Sequence, residues 1–496
     1  MIIPRFEATS PAFVEYVAAR NWIGGDWAEP SGSETRQVVN PRHGRPIASV
    51  RFSTAADVDA AVRAARAAFP AWRDLPLRER AQILFRAREL MLRDLDELSW
   101  LVSHENGKVF DEAKAEVLKG IECVEFGCAL PNVGQGEQLE VSRGVRCEVT
   151  HEALGVVAGV APFNFPFMVP LWMIPQAIGA GNCFVLKPSE VVPLSACKIA
   201  AIFAEAGLPA GVLSLVQGGR EVVEALCDHE GIAALGFVGS TAVAKQVYGR
   251  ACATGKRALC LGGAKNHLIV VPDADLELTA ENVVASFTGC AGQRCMAASV
   301  LVAVGDVDPI LDAVVARAEK LRVGIDLGPV ISEAAVARMD RYVADAAERG
   351  ATVRLDGRGK RGDEGGTWFG PTVLDHVTAD MPAGCEEIFG PVLSIVRVRT
   401  LDEAIAIEND NPYGNASSIY TTSGHVAQQA MQRVEAGMCG VNVGVPVPRE
   451  PFAFGGWNAS KFGTGDLTGY DGYRFWTRPR KVTTKWALQK DATWMS

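Results

Sequence analysis

The stretch Leu154–Leu186 reads LGVVAGVAPFNFPFMVPLWMIPQAIGAGNCFVL and contains no charged residue. It is long enough to cross a bilayer. However, Pro162, Pro166, Pro170 and Pro175 lie inside it and would break any spanning helix. The stretch is therefore interpreted as a buried strand, a tight loop, a short helix and a second buried strand. An uninterrupted apolar strand is covered on both faces, which indicates an α/β sheet.

Strands and helices continue to alternate after this stretch. VLSLVQ, EVVEALCDH, ALGFVG and STAVAKQVYGRACATG follow in turn. Repeated βα units predict a parallel, doubly wound sheet with helices on both faces. A second α/β run begins near Lys265, includes a predicted helix over Leu276–Thr288, and reaches Asn442.

The remaining segments frame these two runs. Thr54 precedes apolar residues at helical spacing and is predicted to cap a helix. Period-two alternation around Arg143 and Gly144 predicts a β-hairpin. The final stretch, RKVTTKWALQKDATWMS, is strand-like and polar, which is typical of a tail that a partner subunit orders.

Composition excludes several classes of protein. The chain has 496 residues, enough for two to four domains at roughly 100–200 residues each. Lys and Arg number 49 and Asp and Glu 58, a net charge of −9 that argues against nucleic-acid binding. Residues 1–20 do not resemble a signal peptide. Twelve cysteines without a C-x-x-C pair predict reduced thiols in a cytoplasmic protein and no metal site.

One glycine motif is judged to be a coincidence. Gly357, Gly359 and Gly362 match G-x-G-x-x-G, but no helix pattern follows them. The fingerprint binds a dinucleotide only between a strand and the helix it opens. Any dinucleotide is expected to bind elsewhere.

Two candidate motifs flank the apolar stretch. Asn164 lies in PFNFP at the end of a strand, where its amide can either stabilise an oxyanion or cap the next helix. Lys187 and Glu190, in KPSE after the next strand, can hold the hydroxyls of an adenosine ribose or form a solvated pair. An acid at the 2′-hydroxyl favours NAD over NADP.

Three further motifs complete a constellation. FVGST places Gly239 and Ser240 at a helix start, where free N–H groups attract phosphate. GQRCMA contains Cys295, whose pKa the neighbouring Arg294 is expected to lower. EIFGP places Glu387 before a turn. Each motif alone also fits an ordinary cap, a core cysteine or a surface turn.

Together, in this order, these segments resemble the NAD(P)-dependent aldehyde dehydrogenase superfamily over nearly the whole chain. The resemblance implies that Cys295 is the nucleophile and that Asn164 and the Cys295 backbone N–H form the oxyanion hole. It implies small-molecule aldehyde oxidation with NAD through a thioester on Cys295.

The same resemblance implies a Rossmann-like cofactor domain and assigns its binding residues. Phe163, Lys187, Glu190, Gly239, Ser240, Glu387 and Phe389 are the implied cofactor-binding residues. Residues 1–125 with 146–262 would form the NAD-binding domain, and 263–455 the catalytic domain. Residues 126–145 with 475–496 would form an oligomerisation hairpin and arm in a homodimer or homotetramer.

Which molecule accepts the acyl group, water or a thiol, depends on whether a general base is present to activate water. Hydrolytic members of this superfamily usually carry Glu-Leu-Gly-Gly-Lys, whereas this chain has Cys260-Leu261-Gly262-Gly263-Ala264-Lys265. Depending on the match, Cys260 or Leu261 takes the position of the Glu that activates water. Losing a general base typically costs about 10²–10⁴ in rate. Coenzyme A (CoA), a better nucleophile than water, is therefore the expected co-substrate.

A sharper resemblance agrees with CoA. GAKNH, GQRCMA, PFNFP and VPVP are similar to the CoA-acylating methylmalonate-semialdehyde dehydrogenases. In that subfamily the substrate carboxylate leaves as CO₂. The resemblance assigns Arg294, and Lys119 in place of a second arginine, to that carboxylate. Lys119 keeps the charge but lacks the guanidinium fork, and it equally fits a solvated helix face.

Two other functions and the state of Cys290 stay open. One alternative is a hydrolytic aldehyde dehydrogenase acting on another aldehyde, and a remoter one is a non-enzymatic binding module. Cys290 is expected to be a core residue, with a regulatory disulfide to Cys295 as the alternative.

Overall fold

The structure, a computed structural model, describes residues 15–134, 136–362 and 365–486. The first part of the chain contains short strands followed by four helices. These are β1 (Asn21–Ile23), β2 (Asp26–Ala28), β3 (Thr35–Asn40), β4 (Arg45–Arg51), α1 (Ala55–Asp74), α2 (Leu77–Arg93), α3 (Leu95–Asn106) and α4 (Phe110–Val133). Thr54 caps α1 as predicted, since its side chain accepts a hydrogen bond from the Ala56 N–H at 3.3 Å.

The second part contains the predicted hairpin and the first α/β run. Its elements are β5 (Glu137–Ser142), β6 (Val145–Ala153), β7 (Val156–Val160), α5 (Met168–Gly179), β8 (Cys183–Lys187), α6 (Leu194–Glu205), β9 (Leu213–Leu215), α7 (Arg220–Asp228), β10 (Ala234–Val238), α8 (Thr241–Ala253) and β11 (Arg257–Leu261). The charge-free stretch thus folds as strand, loop, helix and strand, which confirms its interpretation. No helix among the described residues is long and apolar enough to cross a membrane.

The third part contains the second α/β run and the return of the chain. Its elements are β12 (Asn266–Val270), α9 (Leu276–Thr288), β13 (Ala298–Val304), α10 (Asp308–Glu319), α11 (Glu333–Glu348), β14 (Thr352–Leu355), β15 (Thr372–Asp375), α12 (Pro382–Cys385), β16 (Val392–Val398), α13 (Leu401–Asp410), β17 (Tyr413–Gly414), β18 (Ala416–Tyr420), α14 (Gly424–Met431), β19 (Met438–Val441), β20 (Trp457–Asn458), β21 (Lys461–Phe462), α15 (Gly469–Phe475) and β22 (Thr477–Lys485). The predicted helix over Leu276–Thr288 has those bounds.

The first sheet has eight strands in the order β2-β1-β9-β8-β7-β10-β11-β21. Strands β7 to β11 are parallel, and β1 and β21 join them antiparallel. Chain order reverses between β7 and β10, so the sheet is doubly wound as predicted. Ligands of open α/β sheets bind beyond the carboxyl ends of the strands at such a reversal.

The second sheet has seven strands in the order β14-β15-β16-β13-β12-β18-β19. All neighbours are parallel except β14 and β15. The α/β fold class is confirmed for both runs.

A separate three-stranded sheet joins the hairpin β5–β6 to β22, which follows the second α/β run. The hairpin β5–β6 is confirmed, and β22 pairs antiparallel with β6 along nine residues. The rest of the predicted arm, residues 487–496, lies outside the described residues. Two elements cross the proposed domain boundaries. Helix α4 continues through position 125, and β21, which lies beyond position 455, pairs with β11 of the first sheet.

The coincidental glycine motif lies in a loop. Gly357, Gly359 and Gly362 follow β14, and no helix begins between them and β15 within the described residues.

Candidate active site

A cleft of about 710 Å³ opens beyond the carboxyl ends of β7, β8 and β10. Most of the predicted site residues line it: Phe163, Asn164, Lys187, Glu190, Gly239, Ser240, Cys295, Glu387 and Phe389. The first sheet supplies one wall and the second α/β run supplies the nucleophile. Residues that are more than 200 positions apart in the chain therefore meet in one site.

One end of the cleft holds the Lys187–Glu190 pair. Lys187 ends β8 and is buried, and its Nζ donates to Glu190 Oε2 at 2.9 Å. Burial lowers the pKa of Lys187, and Glu190 opposes that change. Although burial acts to raise the pKa of Glu190, the Lys187 ammonium holds it below its usual value. A charged acid and amine side by side suit the two hydroxyls of a ribose.

The start of α8 borders the middle of the cleft. Ser240 occupies the predicted N-cap position, but its hydroxyl makes no capping hydrogen bond within the described residues, so the predicted side-chain cap is wrong. Ser240 and Val243, at the start of this 13-residue helix, line the cleft, and the positive end of a helix dipole favours an anion there. The residues present fit a dinucleotide with its phosphates at this point.

Cys295 lies in the turn before β13 with its backbone held from two sides. Its carbonyl accepts from Asn266 Nδ2 at 2.7 Å and from Asn415 Nδ2 at 2.9 Å. Both amides belong to the second sheet, at the start of β12 and just before β18. The nucleophile is thus fixed by its main chain, which leaves the sulfur toward the cleft.

The ionisation of Cys295 differs from the expectation. Burial raises the pKa of its thiol to about 12, and the Glu387 carboxylate acts in the same direction. Backbone N–H groups and Arg294 oppose this change but do not offset it. The prediction of a lowered pKa is therefore wrong, since burial outweighs the neighbouring cation.

The loop before Cys295 has an unusual backbone. Cys290 and Ala291 are left-handed, with φ of 54° and 53°, although neither is glycine. Gly292 follows with φ of 66°, and a Cβ there would lie 2.2 Å from the carbonyl carbon of Gly390. Only glycine allows this close approach between the nucleophile loop and the turn that carries Glu387. Cys290 and Cys295 are both free thiols.

That turn supplies the other end of the cleft. Glu387 Oε1 accepts from the Ala264 N–H at 3.0 Å, and burial raises the pKa of this carboxyl. Phe389, left-handed at φ 57°, meets Phe163 edge-on with ring centroids 5.9 Å apart. The two nearly perpendicular rings give this end of the cleft an apolar aromatic surface against which another ring can pack.

Asn164 lies on the loop between β7 and α5 and, like Cys295, lines the cleft. The side chain is buried, and its backbone carbonyl accepts from Lys108 Nζ at 2.5 Å. The alternative, that Asn164 caps the next helix, is wrong because α5 begins at Met168 and Phe167 occupies its N-cap.

The position of the missing base is apolar in the structure. Cys260 and Leu261 end β11 and are buried, and the cleft meets the backbone of Gly262 and Gly263 instead. Burial raises the pKa of the Cys260 thiol well above its usual range, so it cannot serve as a base at neutral pH. Among the described residues that line the cleft, the carboxylates are Glu190 and Glu387.

Two predicted residues lie outside the cleft lining. Arg294 donates to the carbonyls of Ala285 and Ser286 near the end of α9, at 2.5 and 3.0 Å. Lys119 on α4 donates to the buried Glu450 at 2.6 Å, and is thus neither a solvated side chain nor an unpaired one. Their role toward a substrate carboxylate stays a prediction.

Sequence reasoning missed several residues at the site. Arg36, Arg220 and Arg338 line the cleft, and Asn266 and Asn415 hold Cys295. Asn266 could have been found from the sequence, because GAKNH stands at the start of a predicted strand. Nothing in the sequence around Asn415 or Arg36 indicates that these residues reach the site.

Comparisons with known proteins agree with this geometry. The sequence profile described as the aldehyde dehydrogenase family matches residues 27–482. Malonate-semialdehyde dehydrogenase 2 of Geobacillus kaustophilus (strain HTA426) is 45% identical over 476 residues, which cover 94% of this chain and 98% of that protein. A putative methylmalonate-semialdehyde dehydrogenase from Sinorhizobium meliloti 1021, complexed with NAD, superposes with a TM-score of 0.94 at 39% identity, covering 96% of this chain and 99% of its own. A methylmalonate-semialdehyde dehydrogenase from Oceanimonas doudoroffii gives 0.93 at 40% identity, with 95% and 99% coverage.

Proposed function

This chain belongs to the aldehyde dehydrogenase family, and we propose that it oxidises malonate or methylmalonate semialdehyde with NAD and transfers the acyl group to CoA. The observation that carries the proposal is the cleft itself. Cys295 and Asn164 both line it, and Cys260 and Leu261, which match the position of the family's hydrolytic base, are buried and carry no carboxylate. The names of the similar proteins support the choice of aldehyde.

The first half of the reaction follows from the residues in the cleft. The thiolate form of Cys295 bonds to the aldehyde carbon as the C=O π bond breaks, and the carbonyl oxygen becomes an oxyanion. The Asn164 amide and the Cys295 backbone N–H donate to that oxyanion. Bound NAD would supply the hydride acceptor for this carbon, and loss of the hydride would leave a thioester on Cys295. Lys187 and Glu190 would hold the adenosine ribose and Ser240 would face the pyrophosphate, while Phe163 and Phe389 would orient the nicotinamide side.

The second half needs an acceptor. The thiol of CoA attacks the thioester carbon and the Cys295 sulfur leaves, so one thioester replaces another. A malonyl-type acyl group also loses its carboxylate as CO₂, which gives acetyl-CoA or propionyl-CoA. Arg294 and Lys119 are proposed to act on that carboxylate.

The test is NADH formation from both semialdehydes with and without CoA. We expect a burst of about one NADH per subunit without CoA, because acylation is complete and deacylation has no base. Added CoA should restore steady turnover and give acyl-CoA by mass spectrometry. A Cys295→Ala control should show neither phase. Steady turnover without CoA would contradict thiolysis.

Hydrolysis is the second candidate. Glu387 lies in the cleft with a raised pKa, which is a property of a general base. If water is the acceptor, Glu387→Gln should abolish the CoA-independent steady rate and keep the burst.

Assembly through the three-stranded sheet is also part of the proposal. Leu139 and Val141 on β5 are 67% and 51% exposed in the single chain. A homodimer or homotetramer would cover these side chains.

A further inference from the structure

Helix α4 contacts both loops that form the catalytic centre. Glu112 and Glu116 lie four residues apart and therefore on one face of the helix. Glu116 Oε1 accepts from the N–H groups of Phe167 and Met168 at 2.9 and 3.2 Å. Glu112 Oε1 accepts from the Cys290 N–H at 2.6 Å. One helix thus holds the loop that carries Asn164 and the loop that leads to Cys295.

Lys108, just before α4, completes the contact with the Asn164 loop. Its Nζ donates to Glu116 Oε2 and to the Asn164 carbonyl, both at 2.5 Å. It also lies 3.8 Å from the centre of the Phe165 ring. Both side chains of the Lys108–Glu116 pair are almost fully buried, at 2% and 0% exposure. A buried charge is costly unless it is fully paired. Losing any one of these hydrogen bonds would therefore leave a buried charge incompletely paired.

We propose that Lys108 and Glu116 are positioning residues that hold the Asn164 amide at the oxyanion, and that they act on the reaction only through Asn164. The inference rests on the proposed function to the extent that Asn164 stabilises the oxyanion. It does not depend on which aldehyde or which acyl acceptor the protein uses.

The local chain cannot hold Asn164 alone. Phe167 occupies the N-cap of α5, and no side chain of this segment caps the helix within the described residues. Glu116 takes over that function from another helix. Its second oxygen then binds Lys108, which returns to the main chain at Asn164 itself. The segment is thus held at Asn164 itself and again at Phe167 and Met168, three and four residues further on.

Oxyanion stabilisation is sensitive to such a contact. Removing one donor typically costs about 10²–10³ in rate, and a displaced donor loses part of that. The loss includes the acylation step, because an oxyanion forms when Cys295 attacks the aldehyde, and single-turnover NADH formation reports that step. NAD affinity depends on Lys187, Glu190 and Ser240, which this cluster does not contact in the described residues.

The test is a double-mutant cycle between Lys108→Met and Asn164→Ala. The readout is the single-turnover rate of NADH formation at saturating NAD with an aldehyde that the wild type oxidises, such as propanal. We expect Lys108→Met to slow acylation about 10–100-fold in the wild-type background. In the Asn164→Ala background it should slow acylation less than about threefold, since the group it positions is gone. The dissociation constant of NAD should change less than about twofold in the single variants. Equal losses in both backgrounds would overturn the proposal.

Glu116→Gln provides a second variant in case Lys108→Met does not fold. Its amide oxygen can still accept from Phe167 and Met168, but the charge that pairs with Lys108 is lost. We expect an intermediate loss of acylation rate that also disappears in the Asn164→Ala background. A loss that persists there would overturn the proposal.

Glu105→Gln is the matched control. Glu105 is a buried carboxylate that accepts from Leu194 and Ser195 at the start of α6, at 2.7 and 2.9 Å. It performs the same capping on a helix that does not hold Asn164. We expect a lower melting temperature and an unchanged acylation rate. If Glu105→Gln slows acylation as much as Lys108→Met, general destabilisation explains both. Inactivity of the wild type toward malonate semialdehyde would count only against the proposed substrate, because the cycle uses propanal.

Discussion

The fold changes the pKa of the Cys295 thiol from the value that the sequence predicts. Its thiol has a pKa of about 12 because burial disfavours the thiolate and Glu387 adds to that effect. A raised pKa means that the thiol stays protonated at neutral pH and ionises only as the pH rises. Binding of NAD would bring a cationic ring into the same cleft, and an opposite charge favours the thiolate.

We therefore expect iodoacetamide to alkylate Cys295 slowly at pH 7. The rate should rise about tenfold per pH unit up to pH 10, because the thiolate fraction rises in that proportion below the pKa. Saturating NAD should raise the rate at pH 7. Mass spectrometry of the Cys295 peptide separates it from exposed Cys252 and Cys439. A plateau below pH 9 without NAD would contradict the raised pKa.

The loop from Cys290 to Cys295 shows how one element depends on another. Two consecutive left-handed residues that are not glycine cost of order 1–3 kcal/mol each. The loop keeps this backbone because Glu112 binds it from α4 and Gly292 packs against Gly390. The nucleophile is thus placed by contacts outside its own segment.

Gly292→Ala tests this dependence. The added Cβ would meet the Gly390 carbonyl at 2.2 Å, and φ of 66° is strained for alanine. We expect the free energy of unfolding to fall by about 1–3 kcal/mol and the NADH burst rate to fall at least about 100-fold. Gly249→Ala in α8 is the control, since its Cβ meets nothing within 4 Å. That change should be neutral or stabilise by roughly 0.5–1 kcal/mol, because alanine favours a helix.

For the molecule as a whole, the three-stranded sheet is the feature that a single chain leaves incomplete. Strand β5 is exposed along its whole length and is the edge of the sheet. An exposed apolar edge strand is a site for association. This agrees with the expected role of the hairpin in joining subunits.

Leu139→Lys combined with Val141→Lys should therefore weaken the oligomer. We expect light scattering after size exclusion to show a smaller species than the wild type at the same concentration, because charges would replace apolar contacts. Leu278→Lys, on α9 and 42% exposed, is the control and should leave the mass unchanged. An unchanged mass for the β5 variant would show that the subunits meet elsewhere.

Predictions from the sequence were mostly confirmed where they depend on a few neighbouring residues. The charge-free stretch from Leu154, the cap at Thr54 and the helix over Leu276–Thr288 all have their expected form. Strand ends that carry polar residues also indicated the cleft, because carboxyl ends of parallel strands share one edge. The lowered pKa of Cys295 was wrong, since it depends on neighbours from other segments. The side-chain cap at Ser240 was also wrong, although Ser240 does occupy the N-cap position of its helix.

Hydrophobic periodicity, proline positions and the order of five short motifs were enough to establish the α/β fold and the family. Each of these patterns spans a few residues, so it can be recognised without knowledge of the rest of the chain. Other properties arise between distant residues: Lys119 binds Glu450 331 positions away, Asn415 holds Cys295 across 120, and Lys108 holds Asn164 across 56. Burial, charge pairing and pKa depend on what packs around a group. Folding alone brought those partners together, and with them the geometry of the catalytic centre.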